Sequence, residues 1–409
     1  MTSTLPCPSP KPLEIPGFRK LWSGGLLSLV GTHMQFVALP FFVFDMTGST
    51  FATAVTAAGQ AIPAMFLGPL AGALADLRDT RRVLITANAL LCLVTLAFCL
   101  SPLAPWWVMV LIAFLQAVLG QLVEPAEVVM VVSLVPAQRL PAANSMLGAN
   151  VSLARLVGPT AGGALYAVAG LPAVAVLNAI SFAAAGVLVS QIQRVDARPA
   201  QPVLVPRPRL TSGWTEGWTA IGKQPMLRAL LVVSALTGLG EGCVSALIAP
   251  YVGEVFGGSS ALGLLMSCQA VGGLIGALVM IRMTRPDLMP RTLGWAAVSG
   301  GLLLSVMITY PLFYPPLYPA LMLITAAGLP FAAVAAARLT LLQTLTEPTS
   351  RGRVFGVFSG ITGTVQLSGI LLSGYLADRT TVYLLLIDSP CYLLAGVVML
   401  RRSGRQRSG

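Results

Sequence analysis

Charge is the scarcest thing in this sequence. Only 10% of its 409 residues are Asp, Glu, Lys or Arg, against 56% hydrophobic, and the mean hydropathy is +0.83. A soluble domain carries about 25% charged residues, which excludes a surface that faces only water. What remains is a lipid-facing surface, where backbone groups must be satisfied inside helices. Histidine is nearly absent, His33 being the only one. The six cysteines (Cys7, Cys92, Cys99, Cys243, Cys268 and Cys391) are scattered without a C-x-x-C pair, which argues against a zinc site or a disulfide framework. No metal and no other cofactor is expected. The phosphate-cradling loop G-x-x-x-x-G-K-[ST] is missing, which removes ATP as the energy source, and no pattern of enzyme chemistry appears. Residues 1–17 hold Pro6, Pro8, Pro10, Pro12 and Pro16 but lack the apolar run of about 7–15 residues that a secretory signal needs. The first apolar span is therefore expected to act as an uncleaved insertion signal.

What is present is a series of apolar runs long enough to cross about 30 Å of hydrocarbon. They fall at 21–45, 51–75, 82–101, 105–130, 144–168 and 171–191, and again at 226–252, 259–281, 292–311, 316–340, 354–377 and 381–400. The expected fold is an all-α membrane protein of twelve transmembrane helices in two pseudo-symmetric six-helix bundles. Its expected parts are a cytoplasmic tail (1–17), an N-terminal bundle (18–191), a polar linker with a short interfacial helix (192–225), a C-terminal bundle (226–400) and a basic tail (401–409).

The formal net charge of +11 could suggest nucleic acid as a partner, but the placement of the basic residues argues otherwise. Of the 25 lysines and arginines, all except Arg155, Arg338 and Arg379 fall on the side of the termini and the linker. The opposite loops hold Asp45, Glu254 and Asp378. By the positive-inside rule, both termini are cytoplasmic in the inner membrane. The expected partners are lipid, protons and a small-molecule substrate, with the chain working as a monomer.

Internal repetition supports the doubling. Gly72-Ala-Leu-Ala-Asp76-Leu-Arg78-Asp79-Thr-Arg81-Arg82 returns, degenerate, as Gly276-Ala-Leu-Val-Met280-Ile-Arg282-Met-Thr284-Arg285. Asn178 pairs with Asp388 at the same offset that pairs Leu39-Pro40-Phe41 with Ala249-Pro250-Tyr251. Two parallel six-helix repeats with a cavity between them is the plan of one large transporter class.

Three motifs carry a family likeness. They are the loop Gly72 to Arg82, the segment Ala154-Arg155-Leu-Val-Gly158-Pro159-Thr-Ala-Gly162-Gly163, and Arg351-Gly352-Arg353-Val-Phe-Gly356. On these, the chain resembles the major facilitator superfamily over nearly its whole length, in the efflux branch of enterobactin-exporter-like and macrolide-efflux-like carriers. The loop is usually written G-x-L-A-D-R-x-G-R-R; this chain departs from it at Leu77, Asp79 and Thr80. The resemblance implies alternating access, and the G-P-x-x-G-G segment is associated in that family with proton-coupled antiport.

Physically, a carboxylate such as Asp76 is favoured beside a helix N-terminus by about 0.3–1 kcal/mol. The eleventh span begins nearby in this fold, so Asp76 and Arg353 are expected to form a latch on the cytoplasmic side. Gly72 and Arg78 complete that gate. Arg81 and Arg82 either join it or serve only membrane sorting. Gly158, Gly162 and Gly163 allow close helix approach, and Pro159 can bend the span; generic helix packing is the plainer account of the same residues.

Charges inside spans are costly, roughly 2.5–3.5 kcal/mol at a helix centre on the insertion scale. Glu124 and Arg155 lie at nearly equal depth on either side of the hairpin at Pro136 to Pro141, which predicts an ion pair, with Glu127 sharing the same base. Glu241, between Gly240 and Gly242, is either a proton carrier, an anchor for a cationic substrate, or a neutral acid bonded to a neighbouring helix. Asp388 is expected to be hydrogen-bonded or water-facing, with a role in proton coupling or the substrate cavity as the alternative, and Arg338 to find a structural partner or to reach for the interface. His33 is expected in a helix–helix hydrogen bond, with a cavity-lining role as the alternative. Together these point first to a proton-driven exporter of amphiphilic small molecules such as a drug, secondary metabolite or siderophore. An uptake symporter or uniporter is the second reading, and a receptor or scaffold without transport the third.

Overall fold

The computed structural model describes residues 11–76, 79–193, 210–282, 288–347, 350–377 and 385–405, with helical backbone alone at 66–76 and 210–214. The described residues form helices. In chain order they are α1 (Pro16–Thr47), α2 (Thr50–Asp76), α3 (Thr80–Leu96), α4 (Trp106–Leu134), α5 (Leu140–Ser190), α6 (Leu210–Lys223), α7 (Pro225–Phe256), α8 (Ser259–Arg282), α9 (Met289–Thr309), α10 (Leu317–Leu345), α11 (Arg351–Leu376) and α12 (Asp388–Arg405). Where their residues are described, the apolar stretches lie largely on helix. Among the described residues, nine helical stretches are long and apolar enough to cross a membrane.

One of these, Ala137–Ser190, is 54 residues long. At 1.5 Å per residue it would reach about 80 Å, more than twice the hydrocarbon thickness. It does not run straight, because Gly170 takes φ 71° and ψ −174°. That is a backbone conformation other residues strongly resist, and Pro172 follows it. The chain reverses there, so that both arms of α5 flank α1. Gly158 on the first arm packs against His33, and Gly24 packs against Ala185 on the second.

Small residues set the spacing of the bundles, as expected where lipid offers no hydrophobic drive for helix association. Gly272 of α8 meets Thr325 and Gly328 of α10, and Gly294 of α9 meets Gly396 of α12. The bundles touch at the end away from the termini. Thr160 Oγ1 donates to Ser267 Oγ at 2.7 Å, Ser259 Oγ to the Gly163 carbonyl at 2.9 Å and Thr50 Oγ1 to the Gly374 carbonyl at 3.4 Å. A single apolar core there unites Val37, Phe41 and Ala54 with Leu247, Tyr251 and Leu262. The conformation is therefore closed at that end.

A short helical turn over Pro12–Glu14 leads into α1, whose Phe18 is fully buried, and α12 continues through Arg401 and Arg402 to Arg405. The linker helix α6 lies against α11: Gly217 touches the Arg353 carbonyl and Val357, and Ile221 is buried in a core shared with Val354 and Phe358.

Candidate functional site

A cavity of about 550 Å³ sits between the bundles, within the range of small-molecule sites. Its N-terminal wall is apolar, made by Phe36, Pro40, Ala57 and Ala61, with Gln60 as the polar exception. The charges stand on the other wall: Glu241 of α7, Arg338 of α10 and Asp388 of α12, accompanied by Tyr392 and Gln366.

Local sequence explains how these groups meet. Gly240 and Gly242 flank Glu241 because two helices press against α7 there: Gly240 abuts the Asp388 carboxyl, and Gly242 abuts the backbone of Gln366 and Ile370. A methyl group at either position would overlap its neighbour. Glu241 is exposed to the cavity, and its Oε1 accepts a hydrogen bond of 3.1 Å from the Tyr392 hydroxyl. Tyr392 is itself braced by Phe331, ring centroids 5.2 Å apart.

Asp388 departs from expectation. It is 2% exposed, and its Oδ1 is buried without a hydrogen-bond partner. It neither faces bulk water nor is fully bonded. Arg338 lines the cavity with the two acids. Sequence reasoning missed Tyr392, although it stands four residues after Asp388 and so shares its helical face.

The N-terminal charges do not assemble as predicted. No ion pair joins Glu124 to Arg155 among the described residues, and both are exposed. The helices are not neighbours: α4 barely touches α5, whose first arm packs on α1. Arg155 thus lies near His33. Glu127 does not share Arg155; its carboxyl lies beside Gly25 and the Asn150 amide. His33 makes its hydrogen bond within its own helix, Nδ1 to the Leu29 carbonyl at 2.9 Å, so Nδ1 carries the proton in that contact. None of these four lines the cavity.

A neutral network fills the N-terminal bundle instead. Gln35 Nε2 donates to Gln116 Oε1 at 2.6 Å, and Asn178 Nδ2 to Gln35 Oε1 at 2.7 Å. Gln116 Nε2 reaches Thr95 Oγ1 at 3.2 Å, and Ser181 Oγ donates to Asn178 Oδ1, also at 3.2 Å.

At the loop motif, Gly72, Asp76 and Arg78 lie outside the residues whose side chains are described. Asp79 caps α3, accepting from the Arg81 and Arg82 backbone amides at 3.2 and 3.4 Å and pairing with the Arg82 guanidinium at 3.3 Å. Arg81 donates to the Ser190 carbonyl, and Lys20 Nζ to the Gln191 carbonyl at 3.1 Å. Both bases thereby serve the C-terminus of α5, where cations are favoured. Arg353 forms an ion pair with Glu216 of the linker helix.

The proline–glycine motif is divided between two tasks. Gly158 and Gly162 admit α1, touching His33 and the Met34 backbone, whereas Gly163 admits the start of α8 from the other bundle. Helical dihedral angles continue through Pro159 and break only at Gly170. Gly263 of α8 returns the contact, abutting the Pro159 carbonyl.

A family model described as "Transmembrane secretion effector", of the MFS_3 group, matches residues 8–406. The multidrug efflux pump Tap of Mycolicibacterium fortuitum is 27% identical over 379 residues, covering 90% of this chain and 91% of that one. Macrolide efflux protein A of Streptococcus pyogenes is 23% identical over 398 residues, covering 94% and 93%. Among solved structures, a bacterial homologue of the iron transporter ferroportin, in its inward-facing state, superposes with a TM-score of 0.71 at 20% identity, covering 96% of this chain and 99% of that one. That likeness is one of fold. Among the described residues, no three His, Cys, Asp or Glu side chains gather to hold a metal ion.

Proposed function

The chain belongs to the transmembrane secretion effector family of the major facilitator superfamily, and from that premise we propose that it exports amphiphilic small molecules by proton antiport with alternating access. The observation that carries this reading is the cavity, with an apolar wall on one bundle and Glu241, Arg338 and Asp388 on the other. Apolar burial contributes about 25 cal/mol per Å², which suits a substrate that is largely apolar. The charged wall supplies a contact for its polar end. The named pumps Tap and macrolide efflux protein A support the direction of transport.

In the cycle, the bonds of Thr160, Ser259 and Thr50 must break to open the end away from the termini. At the terminal end, Asp76 is the proposed latch against α11. Because Arg353 already pairs with Glu216, such a latch forms beside the linker helix. The protein sits in the cytoplasmic membrane with both termini in the cytoplasm, the orientation that the basic residues favour. One chain lines the cavity from both sides, so a monomer suffices.

The test is reconstitution in liposomes with an imposed pH gradient, following a fluorescent amphiphile such as ethidium together with proton flux. Uphill ethidium movement with opposite proton movement is expected. Substrate movement that ignores the gradient favours a uniporter; no movement of either, across a panel of amphiphiles, overturns the reading.

A further inference from the structure

The two bundles present a similar packing arrangement with different chemistry, shifted by one residue, since the offset that pairs Asn178 with Asp388 pairs Gly31 with Glu241. In the N-terminal bundle, Gly31 of α1 abuts Asn178 Oδ1; in the C-terminal bundle, Gly240 of α7 abuts Asp388 Oδ1. Asn178 and Asp388 are also the pair that the internal repeat aligns. Both amide atoms of Asn178 have partners, Nδ2 donating to Gln35 and Oδ1 accepting from the Ser181 hydroxyl, which also reaches the Asn178 carbonyl. The residue that aligns with Gln35 in the second repeat is Ser245, whose side chain is shorter. Asp388 Oδ1 is left buried and unpartnered.

A buried carboxylate without a donor is costly. Three things could supply one: a water, a substrate ammonium or a proton. Oδ1 is buried and the Gly240 backbone packs directly against it, so in this conformation neither a water nor an ammonium reaches that oxygen, whereas a proton on the carboxyl needs no such space. A protonated aspartate is also the closest neutral counterpart of asparagine, the residue that the first bundle holds in this arrangement. Glu241 is in the opposite situation: its carboxylate is exposed to the cavity and already has a donor in Tyr392.

We infer that Asp388 is the group that carries the coupled proton, while Glu241 meets the charge of the substrate. This rests on the reading of proton-driven export and assigns that coupling to the C-terminal bundle. The step is simple: the carboxylate takes one proton to become the neutral acid, and returns it when α12 and α7 shift apart and Oδ1 meets water. The groups that face Asp388 are Glu241 and Cys243 on α7, Arg338 on α10, and Cys391 and Tyr392 on its own helix. The charged residue of α9, Arg291, lies near the far end of α12, where Gly294 meets Leu400. Arg338 is then positioned to offset Glu241 and whatever charge Asp388 acquires on release.

The test uses full-length protein in lipid vesicles. Infrared difference titration reads the carbonyl stretch of protonated carboxyl groups directly, without any substrate. A protonated-carboxyl band is expected in the unmodified protein, lost in Asp388→Asn and kept in Glu241→Gln. Asp388→Asn is expected to elute and melt as folded protein and, in the same vesicles, to lose accumulation driven by the pH gradient. Glu241→Gln is expected to weaken ethidium binding. A band that survives Asp388→Asn, or gradient-driven accumulation at the original level in that variant, overturns the assignment. A band lost only in Glu241→Gln overturns the division of roles. If the unmodified protein moves no amphiphile, the export reading fails by itself, and the infrared band still decides whether Asp388 holds a proton.

Discussion

The hydroxyl of Tyr392 donates to Glu241 Oε1 across 3.1 Å, from α12 to α7. The contact lies one helical turn beyond Asp388, so a single face of α12 carries one acid and reaches the other. Hydrogen bonds to charged groups contribute about 1.5–3 kcal/mol. Tyr392→Phe removes the donor, keeps the ring against Phe331, and leaves the Glu241 carboxylate free to rotate. The KM for ethidium export is expected to rise by about tenfold, the equivalent of about 1.4 kcal/mol, with little change in kcat. A fall in kcat at constant KM would instead place Tyr392 in the proton path.

Gly163 and Gly158 should separate in their effects although they stand in one motif. Gly163 faces α8 of the other bundle, and its carbonyl accepts the Ser259 bond, worth about 0.5–1.5 kcal/mol. Gly163→Val is expected to weaken the closed end and shift the population toward opening there. Spin labels at residues 49 and 377 should then report longer distances. Gly158→Val wedges α5 away from α1 within one bundle and is expected to lower thermal stability without altering that distance distribution.

The linker helix is held by apolar burial more than by charge. The side chains of Arg353 and Glu216 are 39% and 54% exposed, and exposed ion pairs contribute about 0–1 kcal/mol. Ile221 is 1% exposed, and burying such a side chain contributes about 1.5–3 kcal/mol. Glu216→Gln is therefore expected to leave protease resistance of the linker nearly unchanged, whereas Ile221→Ala makes it readily cleaved. Limited proteolysis of the two variants side by side measures the difference.

The neutral network around Gln35 should matter for stability and not for coupling. Asn178→Ala removes the shorter of two donors to Gln35 Oε1 and leaves Gln116 Nε2 at 3.3 Å, at a cost of about 0.5–1.5 kcal/mol. A lower melting temperature in detergent is expected, by the same amount at every pH where the protein stays folded, with gradient dependence of transport retained. A pH-dependent deficit would show that this network titrates with the acids of the other bundle.

Much of this architecture was legible in the chain. Hydropathy located the apolar stretches, because lipid demands long apolar helices, and the break between the fifth and sixth spans was anticipated near Gly170. The site was less legible, for reasons of helical phase. Counting residues from a hairpin placed Glu124 and Arg155 at one depth, but depth says nothing about which helices are neighbours. The Gly-Glu-Gly sequence around Glu241 read as an isolated acid; its glycines proved to be contact points for α12 and α11. Asp388 was undervalued because it lies toward a helix end, where water is the usual neighbour, and here the closely packed Gly240 takes that place. Arg353 was assigned to Asp76 by proximity in the fold, and the structure adds Glu216 of the linker as a partner that no spacing rule reveals.

Gly170 has a consequence for biosynthesis. A single residue joins the two arms of α5, so neither arm can enter the bilayer alone and wait for the other. They must leave the insertion machinery as one hairpin, with Gly170 crossing to the far face first. A charged or bulky tag inserted at that point is expected to block membrane integration of everything that follows, a defect that would show as missing full-length protein in the membrane fraction and not as lost activity.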